Sequence, residues 1–377
     1  MTFLLYLSLA VYGYIILRRW YAWQLLPVQV IPPGFVPTTR LSVIIPVRNE
    51  ERALPQLLQD LERQQYPLNL LEVLVVDDHS EDSTKQVVEA YKAAGKLHLR
   101  LIRLADYEGL TLKKAAVQKG VELAGGELLV FTDGDCRVQP GWLRAFAYAF
   151  ASQQPKFISG PVSFHQTHSL FERMQLVEFA SLIGIGAASI QLNKPNMCNG
   201  ANLAYTREAF EQVGGFSGNE GIASGDDEFL LHKINRQYPG SVLFLKNPQA
   251  TVHTSARKSL KSFISQRVRW ASKWKSYQEW HVQLVALSVF LVNLLLLLAV
   301  PLAWAGIMSY PALVGAYSIK FGIDFLFLKR ILSFLNRKRF LVYMLPLQLV
   351  YTPYVIYTAI YGLTGRYSWK GRIIRNP

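Results

Sequence analysis

Residues 41–84 read LSVIIPVRNEERALPQLLQDLERQQYPLNLLEVLVVDDHSEDST, and this stretch decides the fold. Residues 41–45 and 71–76 are short runs rich in β-branched side chains, which is typical of buried strands. Between them, residues 50–63 carry leucines at the spacing of one helix face. The stretch therefore predicts a strand, a helix and a second strand in succession. The leucines are Leu54, Leu57, Leu58 and Leu61.

The alternation continues beyond this unit. Residues 82–92 and 112–123 have a helical pattern, whereas residues 99–104 and 127–132 have the pattern of strands. Strands that alternate with helices predict an α/β fold with a mainly parallel sheet, and such sheets bind ligands at the carboxyl ends of their strands. Residues 40–275 are long enough to form one domain with a sizeable core.

Polar side chains follow three of the predicted strands. The first strand runs into Pro46-Val-Arg-Asn-Glu50, the second into Asp77-Asp78 and the fourth into Asp133-Gly-Asp135. Because these strand ends are expected to lie together, the three clusters indicate one site. Two carboxylates directly after a buried strand suit a hard divalent cation that leaves positions open for phosphate oxygens. Asp82 and Ser83 are equally consistent with helix capping.

The composition indicates a membrane protein. The chain has 377 residues, of which 51% are hydrophobic and 18% charged, so it is too apolar for a disordered protein and too poor in charge for a typical soluble enzyme. Two cysteines, Cys136 and Cys198, argue against a disulfide scaffold and a zinc–cysteine site. The net charge of +14 fits anionic lipids or phosphorylated substrates. Nucleic acid is disfavoured because the basic residues cluster at the edges of apolar segments.

The first uncharged segment lies at the N-terminus. Residues 1–17 contain no charged side chain and precede Arg18 and Arg19. A signal peptide would carry its basic residues before the apolar run, so we expect a transmembrane anchor over residues 1–20 with its N-terminus outside.

A second uncharged region covers residues 281–319, enough for two crossings at about 20 residues each. We expect a transmembrane hairpin over residues 281–328, with turn positions at Pro301 or residues 309–311. Its second arm includes Lys320 and Asp324, which are one helical turn apart and predicted to form a buried ion pair.

The last uncharged stretch covers residues 340–365 and contains Pro346 and Pro353. It either crosses the membrane or forms a re-entrant or interfacial segment. The basic cluster at residues 329–339 is expected in the cytosol by the positive-inside tendency. A basic tail follows at residues 366–377.

Motifs spread over residues 41–275 give the soluble part a family resemblance. To the three strand-end clusters they add Lys113, seven residues before Gly120, although Leu112 stands where the pattern has a glycine. The later motifs are CNGANLAYTR at residues 198–207, Gly225-Asp226-Asp227 and Gln266-Arg-Val-Arg-Trp270. In this order they resemble a membrane-anchored bacterial glycosyltransferase of family 2 with the GT-A fold, a Rossmann-like domain with a mixed, mainly parallel sheet, joined here to α-helical transmembrane segments.

The resemblance implies roles for individual residues. Asp227 would be the catalytic base, while Arg269 and Trp270 would act on the diphosphate and on a sugar or nucleotide ring. Asp133 and Asp135 would bind Mg2+ or Mn2+, and His253 is either a third ligand or an ordinary polar histidine. Asn199, Gly200 and Asp226 would face the acceptor. The residues expected to bind the nucleotide sugar are Pro46, Arg48, Glu50, Asp77, Asp78, Lys113, Asp133, Gln266 and Arg267.

The expected function is metal-dependent, inverting transfer of a sugar from a UDP-sugar to a lipid or other membrane-associated hydroxyl acceptor, as in glycolipid biosynthesis. We expect a multi-pass protein of the bacterial inner membrane with its catalytic domain at the cytosolic face. Residues 170–192 form an apolar helix that is either a core helix or, as we prefer, an interfacial helix beside the site. A processive polysaccharide synthase and a catalytically inactive nucleotide-binding scaffold are the alternatives.

Overall fold

The computed structural model describes residues 1–218, 225–273 and 279–363 in full, together with the backbone of residues 366–369 and 372–375. The basic tail expected at residues 366–377 thus lies outside the residues whose side chains are described. The helices, in chain order, are α1 (Thr2–Leu25), α2 (Leu54–Glu62), α3 (Thr84–Ala93), α4 (Leu112–Leu123), α5 (Trp142–Gln153), α6 (Leu170–Gln191), α7 (Arg207–Gln212), α8 (Asp226–Gln237), α9 (Leu260–Ala271), α10 (Trp280–Trp304), α11 (Tyr310–Phe334) and α12 (Met344–Gly362).

The strands lie mostly in the first 260 residues of the chain. They are β1 (Leu41–Val47), β2 (Leu71–Asp77), β3 (Leu99–Arg103), β4 (Leu128–Phe131), β5 (Phe157–Ser159), β6 (Val162–Phe164), β7 (Leu203–Thr206), β8 (Val242–Phe244), β9 (Val252–Thr254), β10 (Arg366–Trp369) and β11 (Arg372–Arg375). The helices and strands predicted between residues 41 and 132 are therefore confirmed to within a few residues at each end.

The described chain forms two compact units. The α/β unit comprises Leu26–Gln166 and Met197–Ser255, and the helical unit comprises Met1–Leu25, Thr167–Asn196 and Ala256–Pro377. Residues 256–275 were expected in the catalytic domain but belong to the helical unit, because α9 packs against α12.

A mixed seven-stranded sheet forms the centre of the α/β unit, in the order β3-β2-β1-β4-β7-β5-β8. Strands β1 to β4 are parallel to one another, whereas β7 runs antiparallel to β4 and β5. The register pairs Val47 with Asp77, so the polar segments that follow β1 and β2 start side by side. This confirms the predicted α/β fold with a mainly parallel sheet.

The predicted leucine face of α2 packs into the core of the α/β unit. Leu54, Leu57, Leu58 and Leu61 are fully buried, and each contributes about 1.5–3 kcal/mol through burial. On α4, Gly120 permits a close approach to the sheet, since a Cβ there would lie 2.5 Å from a methyl of Ile44. The close packing of α4 fixes the start of that helix relative to the carboxyl ends of the strands.

Helix α6 is largely buried within the helical unit, where it packs against α1, α11 and α12. Apolar and polar side chains alike are covered, including Val177, Glu178 and Ala187. This packing corresponds to the core-helix alternative and not to the preferred interfacial helix.

Within the described part of the chain, five helical segments are long and apolar enough to cross a membrane: Thr2–Leu25, Leu170–Gln191, Trp280–Trp304, Tyr310–Phe334 and Lys338–Gly362. Pro301 lies inside α10, so the connection between α10 and α11 falls at residues 305–309. In α11, Lys320 Nζ donates to Asp324 Oδ2 at 2.7 Å, and the Lys320 side chain is fully buried. The expected buried ion pair is therefore present.

Candidate active site

Arg48 ties together the segments that follow β1 and β2. Its Nη1 atom donates to the carbonyl oxygens of Asp78 and His79, at 2.8 Å each, and its Nη2 atom lies 2.9 Å from Glu81 Oε1. The Arg48 side chain is only 9% exposed. Arg48, expected to bind the nucleotide directly, thus shapes the loop that would hold it.

Further hydrogen bonds fix the same loops. The backbone N–H of Glu50 donates to Thr84 Oγ1 at 2.8 Å, and Asp82 Oδ1 accepts from the Thr84 N–H at 3.0 Å. Asp82, which precedes the N-cap residue Ser83, thereby binds the first N–H of α3, whereas the Ser83 side chain makes no cap hydrogen bond. Asp77 accepts from the N–H of Ser80 at 3.2 Å.

Asp78 connects the end of β2 to the start of α4. It is buried, and its Oδ1 atom accepts from the backbone N–H of Leu112 at 3.2 Å and lies 3.1 Å from His79 Nδ1. Leu112 has a φ of +75°, where glycine is at ease and a branched side chain is strained by roughly 1–2 kcal/mol. Leu112 therefore replaces the glycine of the family pattern at a position whose backbone conformation favours glycine.

Two lysines follow this turn and reach different acids. Lys113 Nζ forms an ion pair with Asp133 Oδ1, whereas Lys114 Nζ lies 3.3 Å from Asp226 Oδ1. Lys113 was predicted as a site residue, but Lys114 was not, because only the folded structure brings α4 beside the start of α8. The two lysines connect the loop after β4 with the acids of α8.

Asp227 lies in the first turn of α8, close to Gly200 and Lys113. A Cβ at Gly200 would lie 3.0 Å from Asp227 Oδ2 and 3.5 Å from Lys113 Nζ. Since Lys113 also pairs with Asp133, the predicted base and the first predicted metal ligand meet around one lysine. Asp227, Lys113 and Asp133 thus converge at Gly200.

Asp226 has a perturbed acidity. Burial raises the pKa of Asp226 to about 6, with Lys114 opposing and Asp227 adding to the increase. The ordinary pKa of an aspartate is 3.8, so the carboxyl group of Asp226 keeps its proton to a clearly higher pH than an exposed aspartate does. A carboxyl group with such a pKa beside the candidate base is a feature of functional sites.

The loop between Asp133 and Asp135 lies against the end of β1. A Cβ at Gly134 would meet Val47 Cγ1 at 2.9 Å and Glu50 Cγ at 3.2 Å, so the loop closes tightly only with glycine there. This contact places the Asp-Gly-Asp segment beside Glu50, as predicted from the order of the strands.

The backbone of His253 is hydrogen-bonded to the segment that follows the Asp133–Asp135 loop. Strand β9 pairs with β6, and the N–H and C=O of His253 exchange hydrogen bonds with Arg137, two residues after Asp135, at 2.9 and 2.8 Å. Among the described residues, no three His, Cys, Asp or Glu side chains are gathered closely enough to hold a metal ion on their own. The two aspartates fit a hard cation that takes its remaining ligands from water and phosphate oxygens.

The acceptor-side segment contains a buried structural residue that the motif did not single out. Asn202 Nδ2 donates to the carbonyl oxygens of Pro161 and Ala250, at 2.7 and 2.8 Å, and its Oδ1 accepts from Trp142 Nε1 at 3.0 Å. Asn199 Oδ1 accepts from the N–H of Ala201 at 3.0 Å. Both asparagines shape the loop that carries Gly200.

The Gln266–Trp270 motif lies on α9 in the helical unit. Arg267, expected to bind the nucleotide sugar, is buried and forms an ion pair with Glu178 of α6. Gln266, Arg269 and Trp270 are partly exposed. The structure therefore commits Arg267 to a partner inside the helical unit.

Residues 42–214 match the family described as glycosyl transferase family 2. Glycosyltransferase AglE from Haloferax volcanii is 29% identical over 206 residues, covering 52% of this chain and 62% of AglE. The human dolichyl-phosphate beta-glucosyltransferase is 36% identical over 106 residues, covering 26% of this chain and 32% of that protein. The chain therefore spans less than two thirds of the length of these curated relatives.

Among solved structures, a mannosyltransferase from Pyrobaculum calidifontis, in complex with GDP-Man and Mn2+, aligns with a TM-score of 0.59. The alignment covers 92% of this chain and 98% of the mannosyltransferase at 21% identity, which supports a shared fold. The fold, the family match and the order of the motifs agree. Residues 42–214 of this chain therefore form a glycosyltransferase family 2 domain.

Proposed function

We propose that this protein transfers a sugar from a UDP-sugar to a hydroxyl group of a lipid or other membrane-associated acceptor, with inversion at the anomeric carbon. The observation that carries the proposal is the convergence of Asp227, Lys113 and Asp133 at Gly200. Asp227, as a base for the acceptor, thereby lies in the same small region as Lys113 and Asp133, the charged groups near the donor diphosphate.

Asp227 is the proposed general base. The acceptor hydroxyl group must lose its proton as its oxygen attacks the anomeric carbon of the donor sugar. This requires a carboxylate within hydrogen-bond reach of the hydroxyl group. Gly200 allows Asp227 Oδ2 to lie against the backbone at this point, because any side chain at position 200 would come within 3.0 Å of that oxygen. Asp226, Asn199 and Gly200 would form the acceptor side of the site.

The donor would lie along the carboxyl ends of β1, β2 and β4. Pro46 and Asp77 lie at the ends of β1 and β2, and Glu50 and Asp78 lie in the loops that follow these strands. Arg48 holds the loop after β2 through the carbonyl oxygens of Asp78 and His79. Asp78 is buried and held by the backbone of α4, a suitable arrangement for reading a base through hydrogen bonds. A nucleoside diphosphate placed there would bring its phosphates toward Lys113 and Asp133.

Asp133 and Asp135 would hold a divalent cation, Mg2+ or Mn2+, whose remaining ligands come from water and phosphate oxygens. His253 would become a third ligand only if its side chain moved toward the two aspartates, since no three such side chains among the described residues are gathered closely enough. When bound, the cation would act as a Lewis acid on the diphosphate oxygens as the leaving group gains charge. Lys113 supplies a fixed positive charge at the same place. Arg269 would add planar, multi-donor contacts to phosphate, and Gln266 and Trp270 would contact the donor or acceptor. Arg267 receives no such role, since its guanidinium is paired with Glu178.

The membrane setting supports a lipid-linked acceptor. Five helices among the described residues are long and apolar enough to cross a membrane, and basic residues cluster at positions 329–339. By the positive-inside tendency, the α/β unit would face the cytosol of a bacterial inner membrane. The similarity to a dolichyl-phosphate glucosyltransferase points in the same direction.

The proposal is tested with purified protein in lipid nanodiscs. Nucleoside diphosphate release would be measured over a panel of UDP-sugars and GDP-mannose, with and without a total lipid extract, before and after chelation. We expect one UDP-sugar to be turned over in a lipid-dependent and metal-dependent manner, giving a single labelled glycolipid. Preference for GDP-mannose would contradict the choice of UDP.

Two outcomes would favour the alternatives. A long polymer as product would indicate a processive synthase, whose family shares the Gln-x-x-Arg-Trp motif. Absence of turnover with every donor would favour an inactive scaffold. Asp227→Asn should abolish release while retaining UDP binding, whereas the matched surface variant Asp106→Asn should remain active, because Asp106 is paired with Arg103 at the surface.

A further inference from the structure

Glu178 is a buried carboxylate in the middle of the apolar helix α6. Its side chain is 5% exposed, although α6 is apolar enough to cross a membrane. Burying a charged side chain in such a helix costs free energy, so charged residues occur there where an oppositely charged partner offsets the cost, and they commonly have a functional role. Its partners lie on two other helices of the same unit.

Arg267 of α9 and Tyr354 of α12 meet this carboxylate. Arg267 Nε donates to Glu178 Oε1 at 3.0 Å, Arg267 Nη2 donates to Glu178 Oε2, and Tyr354 Oη donates to Glu178 Oε1 at 3.1 Å. The guanidinium therefore binds the carboxylate in a two-point arrangement that fixes direction as well as distance. Three helices, α6, α9 and α12, are joined at this point.

The same guanidinium contacts the motif on α9. Arg267 Nη1 donates to Gln266 Oε1 at 2.7 Å, and the guanidinium lies 4.2 Å from the Trp270 ring and 4.6 Å from the Phe263 ring. Phe179, next to Glu178, also packs near Trp270, with ring centroids 6.2 Å apart. Two of the three motif residues are thus held by the ion pair or its immediate neighbours.

The geometry of the α-helix also fixes the direction of the third motif residue, Arg269. Successive residues on an α-helix are rotated by about 100°, so Arg269 projects roughly 200° away from Arg267. With Arg267 fixed inward by Glu178, Arg269 must point to the opposite side, where it is partly exposed. The rotation of α9 about its axis therefore decides where Arg269 lies.

We propose that the Glu178–Arg267 ion pair is a positioning device that fixes the rotation of α9, so that Gln266, Arg269 and Trp270 are presented to substrate. Glu178, Arg267 and Tyr354 are positioning residues that contact neither donor nor acceptor. This inference rests on the proposed function for its kinetic consequence, whereas the rotation of α9 itself is measurable without turnover.

The structural test uses cysteine labelling. In a Cys198→Ser background, Arg269→Cys and Val268→Cys would be labelled separately with a charged maleimide; Cys136 is buried. Val268 is buried and Arg269 partly exposed, so the 269 position should react much faster than the 268 position. Replacing the pair by Glu178→Met with Arg267→Met should reduce this contrast, because the helix is then free to rotate.

The matched control is a second buried ion pair of the helical unit, Lys320 with Asp324. Lys320→Met with Asp324→Met removes an ion pair of similar burial on α11, a pair that makes none of the α9 contacts described above. The labelling contrast at positions 268 and 269 should survive in that control. An unchanged contrast after loss of Glu178–Arg267, or an equal loss in the control, would overturn the proposal.

The kinetic test uses the UDP-sugar and lipid extract that support turnover. Loss of the Glu178–Arg267 pair should lower kcat by roughly 10- to 100-fold with a smaller change in the donor KM, as expected when a catalytic group is misplaced. The reversed pair, Glu178→Arg with Arg267→Glu, should recover part of kcat. A purely structural role would instead lower thermal stability and leave kcat of the folded fraction unchanged, which would refute positioning. Wild-type protein with the labelling contrast but no turnover would contradict the proposed function and leave the rotational role of the pair standing.

Discussion

Gly200 leaves the space that the candidate base occupies, and Gly200→Ala tests this arrangement. The φ of Gly200 is not in the left-handed region, so alanine causes no backbone strain and the effect is purely steric. The added methyl would lie 3.0 Å from Asp227 Oδ2, whereas ordinary contacts begin at 3.4 Å. Asp227 must therefore retreat by about 0.4 Å, or Lys113, 3.5 Å from the same methyl, must adjust with it.

The size of the kinetic effect follows from this displacement. A misplacement of 1 Å can cost about 100-fold in rate, so about 0.4 Å predicts a roughly six-fold loss of kcat, or about 1 kcal/mol in the barrier. UDP binding should be nearly unchanged, because the new methyl faces the base. Thermal stability should change little, since replacing glycine by alanine also restricts the unfolded chain.

The assay is the initial rate of UDP release at saturating donor and acceptor. Gly34→Ala is the matched control, because a Cβ at Gly34 meets no atom within 4 Å and its φ is not positive. A Gly200→Ala enzyme as fast as the Gly34→Ala enzyme would show that Asp227 does not act through this space. A loss of UDP binding equal to the loss in kcat would likewise refute the reasoning, since it would place the donor at this position.

Three further predictions concern stability. Burial raises the pKa of Asp226 from 3.8 to about 6, so the native state binds this proton more tightly than the unfolded state does. The free energy of unfolding should therefore fall as the pH rises from about 4 to about 6. Thermal melts of the Asp226→Asn variant should depend less on pH over that range than those of the wild type. Asn202→Ala should lower the free energy of unfolding by about 3–5 kcal/mol, measured by denaturant titration, because three buried polar groups lose their partner; a loss below about 1 kcal/mol would mean that water replaces them. Leu112→Gly should fold at least as stably as wild type, whereas Leu112→Val should lose about 1 kcal/mol or more, since β-branching worsens the left-handed backbone; equal melting temperatures would contradict the strain at this turn.

Local patterns were sufficient to predict the α/β framework. The β-branched runs and the leucine spacing of α2 are decided within a few residues, so β1, β2 and α2 follow from sequence alone. The neighbouring strand ends then bring Asp78 and Asp133 to one region, as expected for parallel strands.

Contacts between distant segments were not predictable in the same way. The pairing of Lys114 with Asp226 depends on how α4 and α8 pack, and neither segment encodes the other. Arg267 lies within the motif, and its sequence neighbours do not reveal that Glu178, 89 residues earlier, holds it. Pro301 was a reasonable turn position, but the apolar run around it continues α10 by one more turn.

Helix α6 interrupts the α/β unit, because residues 167–196 join the helical unit while the chain on both sides of them does not. The ribosome therefore makes the helical unit as three separate segments of the chain. Tyr12 of α1 can form its hydrogen bond to Asp324 only after 312 further residues have been synthesised. At about 5–20 residues per second, that interval is roughly 15–60 s. During it, α1 and α6 lack α11, the helix against which both of them pack, and the seven-stranded sheet remains incomplete until its edge strand β8 has been synthesised. A soluble version of the α/β unit would accordingly need residues 167–196 spliced out, and not merely its ends trimmed.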